Sequence, residues 1–250
     1  MAYVRCVRAC CRYVGCAPLL ELLHCHAPPR AAPRAIVLGC GLSALPEALA
    51  AAGYAPVRAV DTSDVAIQAR SHPGGGPRLA DSLTRERALS FQRMRQLQGD
   101  GGDARARVSY EVADVRATGW PPACADVAVD KATLDTLLNG ADAGADAGSM
   151  LREAARLLRA PGGVLLCVSS GAPRERLALL TTGRVEEAPA ADDGDADDDR
   201  LCEAARAPLG ATDEAPPLFE LLEHAPLRRG ALTFHAYVLR RCADVQHSRA

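Results

Sequence analysis

Ala35-Ile36-Val37-Leu38-Gly39-Cys40-Gly41-Leu42-Ser43 decides the fold. Four apolar residues run into a turn with two glycines, and a helix-forming run, Ala44 to Ala52, follows at once. An unbroken apolar run that ends in glycine reads as a parallel strand buried on both faces. Gly39 and Gly41 let the backbone bend sharply, with no Cβ between it and a ligand. The helix start beyond them offers unpaired N–H groups to an electronegative group. A second strand, Val57 to Asp61, ends in a carboxylate about twenty residues past the glycines. A nucleotide-binding α/β unit places its ribose-gripping acid at that distance. Gly39-x-Gly41-x-x-Ala44 also fits the dinucleotide fingerprint in its Gly/Ala form, so this stretch alone leaves the ligand open.

Working outward, the pattern repeats. Thr62 or Ser63 is placed to cap a helix that runs to about Arg70. Arg107 to Val112 has strand character and Asp114 closes it. Cys124 to Asp130 is the next strand, followed by an amphipathic helix over Met150 to Arg159. Gly162-Gly163 turns that helix into another apolar strand, Val164 to Val168. Two further strands, Leu218 to His224 and Leu232 to Arg240, are separated by Pro226 and Gly230. So short a connection excludes a crossover helix, so this last pair is antiparallel. Strand–helix alternation closed by a hairpin implies an α/β, Rossmann-like, doubly wound, mostly parallel sheet. Gly39, Gly41, Asp61, Asp114 and the Asp130-Lys131 pair then fall at the C-terminal ends of successive strands. Ligands of open parallel sheets bind in the crevice at that edge.

Composition narrows the function. The chain has 250 residues and a formal net charge of −2, so no electrostatic footprint for nucleic acid is present. No apolar run approaches the roughly twenty residues of a membrane span. The ten cysteines follow no secretory h-region and no paired C-x-x-C spacing. They read as free thiols in a reducing compartment rather than as disulfides or a zinc site. The cytoplasm is the expected location, with the mitochondrion as the alternative. Lys131 is the only lysine in an arginine-rich chain. Residues 73–106 and 184–215 read as insertions; the second contains the acidic run Asp192 to Asp199, a block of like charge that is usually solvated.

Taken together, the motifs resemble the class I, seven-stranded S-adenosylmethionine-dependent methyltransferases, whose sheet ends in such a hairpin. Val37 to Ser43 resembles their first motif, Ala59-Val60-Asp61-Thr62-Ser63 the second, and Glu111-Val112-Ala113-Asp114-Val115 the adenine-side acidic motif. Asp126 to Leu138 is similar to the signature "DVVIDKGTLDALL". That signature marks a eukaryotic subgroup with lysine methyltransferases of elongation factor 1 alpha and of citrate synthase. Thr233 to Leu239 looks like that subgroup's last strand. The chain departs from the subgroup in four places: the upstream Tyr-Trp…Arg-Tyr segment has no counterpart in residues 1–16, the signature glycine is Ala132 here, and neither the insertion 73–106 nor the acidic run is a feature of the family.

The resemblance implies a methyltransferase domain over residues 17–242, with residues 1–16 as an arm and 243–250 as a tail. It implies S-adenosylmethionine as cofactor. Gly39, Cys40 and Gly41 would pass under its methionine part, and Asp61 with Thr62 would hold the ribose. Asp114 and the Val115 backbone would take the adenine. Asp130, at the strand end, would meet both cofactor and acceptor as a positioning or proton-accepting group. Lys131 would order the loop. The implied acceptor is a protein lysine; a small-molecule acceptor and a non-catalytic cofactor-binding scaffold are the alternatives.

Overall fold

The computed structural model describes residues 15–71, 107–184, 200–203 and 216–243. The insertion 73–106, the acidic run and all but the last two residues of the arm lie outside these residues. Within them are seven strands: β1 (Ala35–Leu38), β2 (Val57–Asp61), β3 (Val108–Val112), β4 (Val127–Lys131), β5 (Val164–Ser169), β6 (Phe219–Arg229) and β7 (Leu232–Arg241). They form one sheet in the order β3-β2-β1-β4-β5-β7-β6. All pairs from β3 to β5 are parallel, while β7 runs antiparallel to both β5 and β6. The chain winds outward from β1 to β3, then returns to add β4 on the other side of β1. The order therefore reverses between β1 and β4, where a ligand crevice opens in such sheets.

Every residue of β1, β4 and β5 is buried. Strand alternation sorts their side chains into two cores. Val37, Ala59, Val129, Leu166 and Val238 face one side, with α1 (Cys16–His26), α2 (Leu45–Ala51) and α3 (Asp64–Ser71). Ile36, Leu38, Leu165, Tyr237 and Leu239 face the other, with α4 (Thr133–Leu138), α5 (Ala143–Leu157) and α6 (Pro173–Thr182). This is the doubly wound sheet with a terminal hairpin that the sequence leads one to expect.

Three local features differ from the sequence reading. Helix α5 begins at Ala143, about two turns before the Met150 start expected, through a stretch that contains two glycines. Gly148 is needed there, because a Cβ would overlap the Gly183 carbonyl and the Arg152 side chain. Helices α4 and α6 are short and lack a long apolar period, which is why the pattern missed them. Pro173 opens α6 at a position where its missing N–H costs nothing. Pro226 lies inside β6 rather than between strands, opposite His235. β6 is the sheet edge, where a proline is tolerated.

Candidate cofactor and acceptor crevice

The turn after β1 is built as the sequence suggests. Gly39 and Gly41 have φ of 67° and 48°, in the left-handed region that favours glycine. The Cys40 N–H donates to the Val60 carbonyl at 2.9 Å, so β1 and β2 stay paired into the turn. Asp61 closes the loop from the other side. Its Oδ2 accepts the Gly41 N–H at 2.8 Å and its Oδ1 the Ser63 N–H at 2.9 Å. A carboxylate has about four lone-pair sites, so each oxygen keeps one to spend. Ser63, not Thr62, caps α3: its Oγ accepts the Ala66 N–H at 3.2 Å. Thr62 stands exposed beside Asp61.

Across the switch point, Thr133 Oγ1 donates to the Leu38 carbonyl at 2.9 Å. The glycine turn and the start of α4 are thus packed directly together. A Cβ on Gly39 would overlap the Thr133 side chain. Left-handed backbone costs a non-glycine residue about 1–2 kcal/mol, and overpacking about 1–3 kcal/mol more. Gly39→Ala is therefore expected to destabilise the fold by about 2–5 kcal/mol. Urea denaturation checks this, and a loss below about 1 kcal/mol would show that the turn is not so constrained.

Asp130 differs from the expectation. Its side chain is 1% exposed and serves the turn before α4 instead of opening on the crevice. Oδ1 accepts the Thr133 N–H at 2.9 Å, Oδ2 accepts the Leu134 N–H at 3.4 Å, and the Cys167 thiol donates to Oδ2. The physical reason is strand alternation: Asp130 falls on the α4–α6 face, in register with Cys167. A proton acceptor at the methyl group needs an accessible oxygen, and Asp130 has none. Burial pushes its carboxyl up to about 7, against the pull of these hydrogen bonds. Lys131 falls on the opposite face and is also buried. It lies close enough to Cys16, at the start of α1, for its charge to pull against the burial that raises that thiol.

A raised carboxyl has a defined pH signature. Between about pH 4 and pH 7 the unfolded chain carries an ionised Asp130 and the folded chain a protonated one, so folding binds a proton. Stability then falls as pH rises through this window and levels off above it. Asp130→Asn removes that slope. The stability difference between mutant and wild type should shift toward the mutant by up to about 4 kcal/mol from pH 4 to pH 7.5, at 1.36 kcal/mol per unit. Denaturation curves across this range read it; a pH-independent difference would mean that Asp130 is ionised in the fold.

The Ala113 N–H bonds the Asp61 carbonyl at 3.1 Å and brings the next loop alongside. Asp114 stands there, half-buried, but its carboxylate is engaged by Arg116. Val115 is buried against the α4–α6 core. Val112, 55% exposed, ends β3, and Val65 is exposed at the start of α3.

A residue outside the expected set holds the loop after β5. Asp135, the second aspartate of the 126–138 stretch, is buried. It accepts hydrogen bonds from the Ser169 hydroxyl and from both the N–H and the hydroxyl of Ser170, the latter two at 2.7 and 2.8 Å. Arg176 completes the cluster with Nη2 3.4 Å from Asp135 and Nε 2.9 Å from Ser169 Oγ. Beneath it the Tyr237 hydroxyl donates to the Gly171 carbonyl at 2.7 Å. The loop after β5 is therefore pinned at the end of the sheet that faces the crevice. Asp135 closes the Asp130-Lys131-x-Thr133-Leu134-Asp135 run of the stretch that resembles the subgroup signature, which is the signal that could have found it.

These residues fit an adenosyl cofactor. The turn brings bare backbone to the strand ends, and beside it stands a tethered carboxylate with lone pairs left for a diol. No family model matches the chain. It is 29% identical over 159 residues to the eEF1A lysine and N-terminal methyltransferase of Xenopus laevis, covering 63% of this chain and 19% of that protein. It is 30% identical over 151 residues to EEF1A lysine methyltransferase 4 of Bos taurus, covering 57% of this chain and 48% of the relative. The chain thus spans between a fifth and a half of the length of these curated relatives. A solved structure described as a SAM-dependent methyltransferase of Methanosarcina mazei superposes with a TM-score of 0.52 at 16% identity, over 89% of this chain and 98% of that one. The chain has the fold of the class I S-adenosylmethionine-dependent methyltransferases, and over part of its length its sequence resembles the eEF1A lysine methyltransferases.

Proposed function

We propose that the chain binds S-adenosylmethionine at the β1–β2–β4 edge and transfers its methyl group to a lysine side chain of a protein. The observation that carries the cofactor part is Asp61, fixed by the Gly41 and Ser63 N–H groups with one site left on each oxygen. The protein-lysine part is supported by the 126–138 stretch and by the activities that the relatives' names carry. The cofactor supplies an activated methyl group on a sulfonium, open to in-line displacement. What remains for the protein is orientation and exclusion of water.

Each residue has a place in that work. Gly39, Cys40 and Gly41 present backbone to the methionine part. Asp61 accepts from the ribose hydroxyls in charge-assisted hydrogen bonds, with Thr62 at their edge. Asp114 and Val115 line the adenine end. Asp130 acts from behind, by holding the turn before α4 against the glycine loop through Thr133. Lys131 orders the α1 side of the same turn.

Incubation with methyl-labelled S-adenosylmethionine and an extract of the source organism tests this reading, with mass spectrometry of labelled products. The expected result is label on protein lysines. Label confined to small molecules overturns the protein acceptor. Cofactor binding with no transfer to any fraction overturns catalysis.

A further inference from the structure

Arg116 sits two residues past Asp114 and folds back onto it. Its backbone N–H donates to Asp114 Oδ1 at 2.9 Å, its Nε to both carboxylate oxygens at 3.0 Å, and its Nη2 to Oδ2 at 2.6 Å. These contacts fill the roughly four lone-pair sites of the carboxylate with one residue. The second arm of the guanidinium reaches elsewhere: Nη1 donates to Asp146 Oδ1, 2.6 Å away in the first turn of α5. The side chains of Arg116, Asp114 and Asp146 keep 41%, 36% and 25% of their surface exposed. The cluster is therefore wet and its rearrangement cheap.

Under the cofactor reading above, on which this inference rests, the adenine amino group needs an acceptor at Asp114. We propose that Arg116 is a gate on the adenine end of the crevice. Its guanidinium and the adenine amino group compete for one carboxylate, and Asp146 is where the guanidinium rests when adenine wins. Asp146 makes the exchange affordable, because Arg116 gives up one ion pair while keeping the other. Only a ligand with a donor at that position meets this competition; one without it leaves the ion pair in place. Exposed ion pairs of this kind are worth a factor of about five at most. The gate tunes affinity without blocking it.

Calorimetry with S-adenosylhomocysteine, and with its analogue lacking the purine 6-amino group, tests the gate. Arg116→Ala is expected to tighten S-adenosylhomocysteine about two- to fivefold and to leave the analogue unchanged. Adding Asp114→Asn to that variant should reverse the gain. Asp146→Asn, which removes the resting place, should shift affinity the other way. All these side chains are partly exposed, and an unchanged melting temperature confirms that each variant is folded. Weaker or unchanged binding by Arg116→Ala overturns the gate, as does an equal gain for both ligands. Wild-type protein that binds S-adenosylhomocysteine while Arg116→Ala shows no selective gain sinks the gate alone. Wild-type protein that binds neither ligand sinks the cofactor reading and the gate with it.

Discussion

Asp135→Ala is expected to cost the fold about 3 kcal/mol and to lower the melting temperature by roughly 6–12 °C, at about 2–4 °C per kcal/mol for a domain of this size. Asp135 and Arg176 keep only 9% and 16% of their side-chain surface exposed. Removing the carboxylate leaves the guanidinium without its counter-charge in a dry site. It also takes the acceptor from the Ser170 N–H and from the Ser169 hydroxyl, a residue with no exposed surface. Breaking a buried pair costs about 3–5 kcal/mol because the surviving charge stays buried. The partial exposure of Arg176 places this case at the low end. Asp135→Asn keeps the shape and one acceptor and should lose about half as much. Thermal denaturation of the two variants gives the comparison. An Asp135→Ala protein within about 1 kcal/mol of wild type would show that the loop after β5 is held by other contacts.

Asp61→Ala is expected to weaken cofactor binding by roughly 10- to 150-fold. Hydrogen bonds to a charged partner are worth about 1.5–3 kcal/mol net, and 1.4 kcal/mol is a factor of ten. S-adenosylhomocysteine should lose a similar factor, since it keeps the same ribose. The substitution also releases the Gly41 and Ser63 N–H groups. Both lie at the partly exposed crevice, where water replaces the carboxylate, so the fold survives. Calorimetry on wild type and mutant, with the melting temperature as control, reads the effect. Equal affinity in both would remove Asp61 from the ribose site.

The frame of the fold was legible because it is written in consecutive residues. Short apolar runs such as Ile36-Val37-Leu38 and Leu165-Leu166-Cys167, bounded by glycines, read as strands buried on both faces. The close spacing of the last two strands carried the antiparallel hairpin. What stayed hidden depends on residues that meet only in three dimensions. Asp130 looked like a crevice acid because it ends a strand. Its orientation follows from alternation along β4, and its burial from Cys167, 37 residues on. Asp114 looked available because a neighbouring arginine two residues on does not by its position show that it folds back, and the member of that cluster that holds its second arm, Asp146, is 30 residues from Arg116. Ala132 shows the limit of reading by residue type. It stands at φ 75° before α4, where the resembling signature has glycine, so the left-handed turn persists on an alanine. The close fit of the turn before α4 against β1, through Thr133 and Leu38, holds it there.

The central claim is that the crevice beside Gly39, Gly41 and Asp61 takes an adenosyl cofactor of methyl transfer. The most direct test is a side-by-side calorimetric titration of the wild-type protein with S-adenosylhomocysteine and with NADH. Saturable one-to-one binding of S-adenosylhomocysteine and no heat with NADH is the expected result. Binding of NADH in preference, or no binding of S-adenosylhomocysteine, would contradict it.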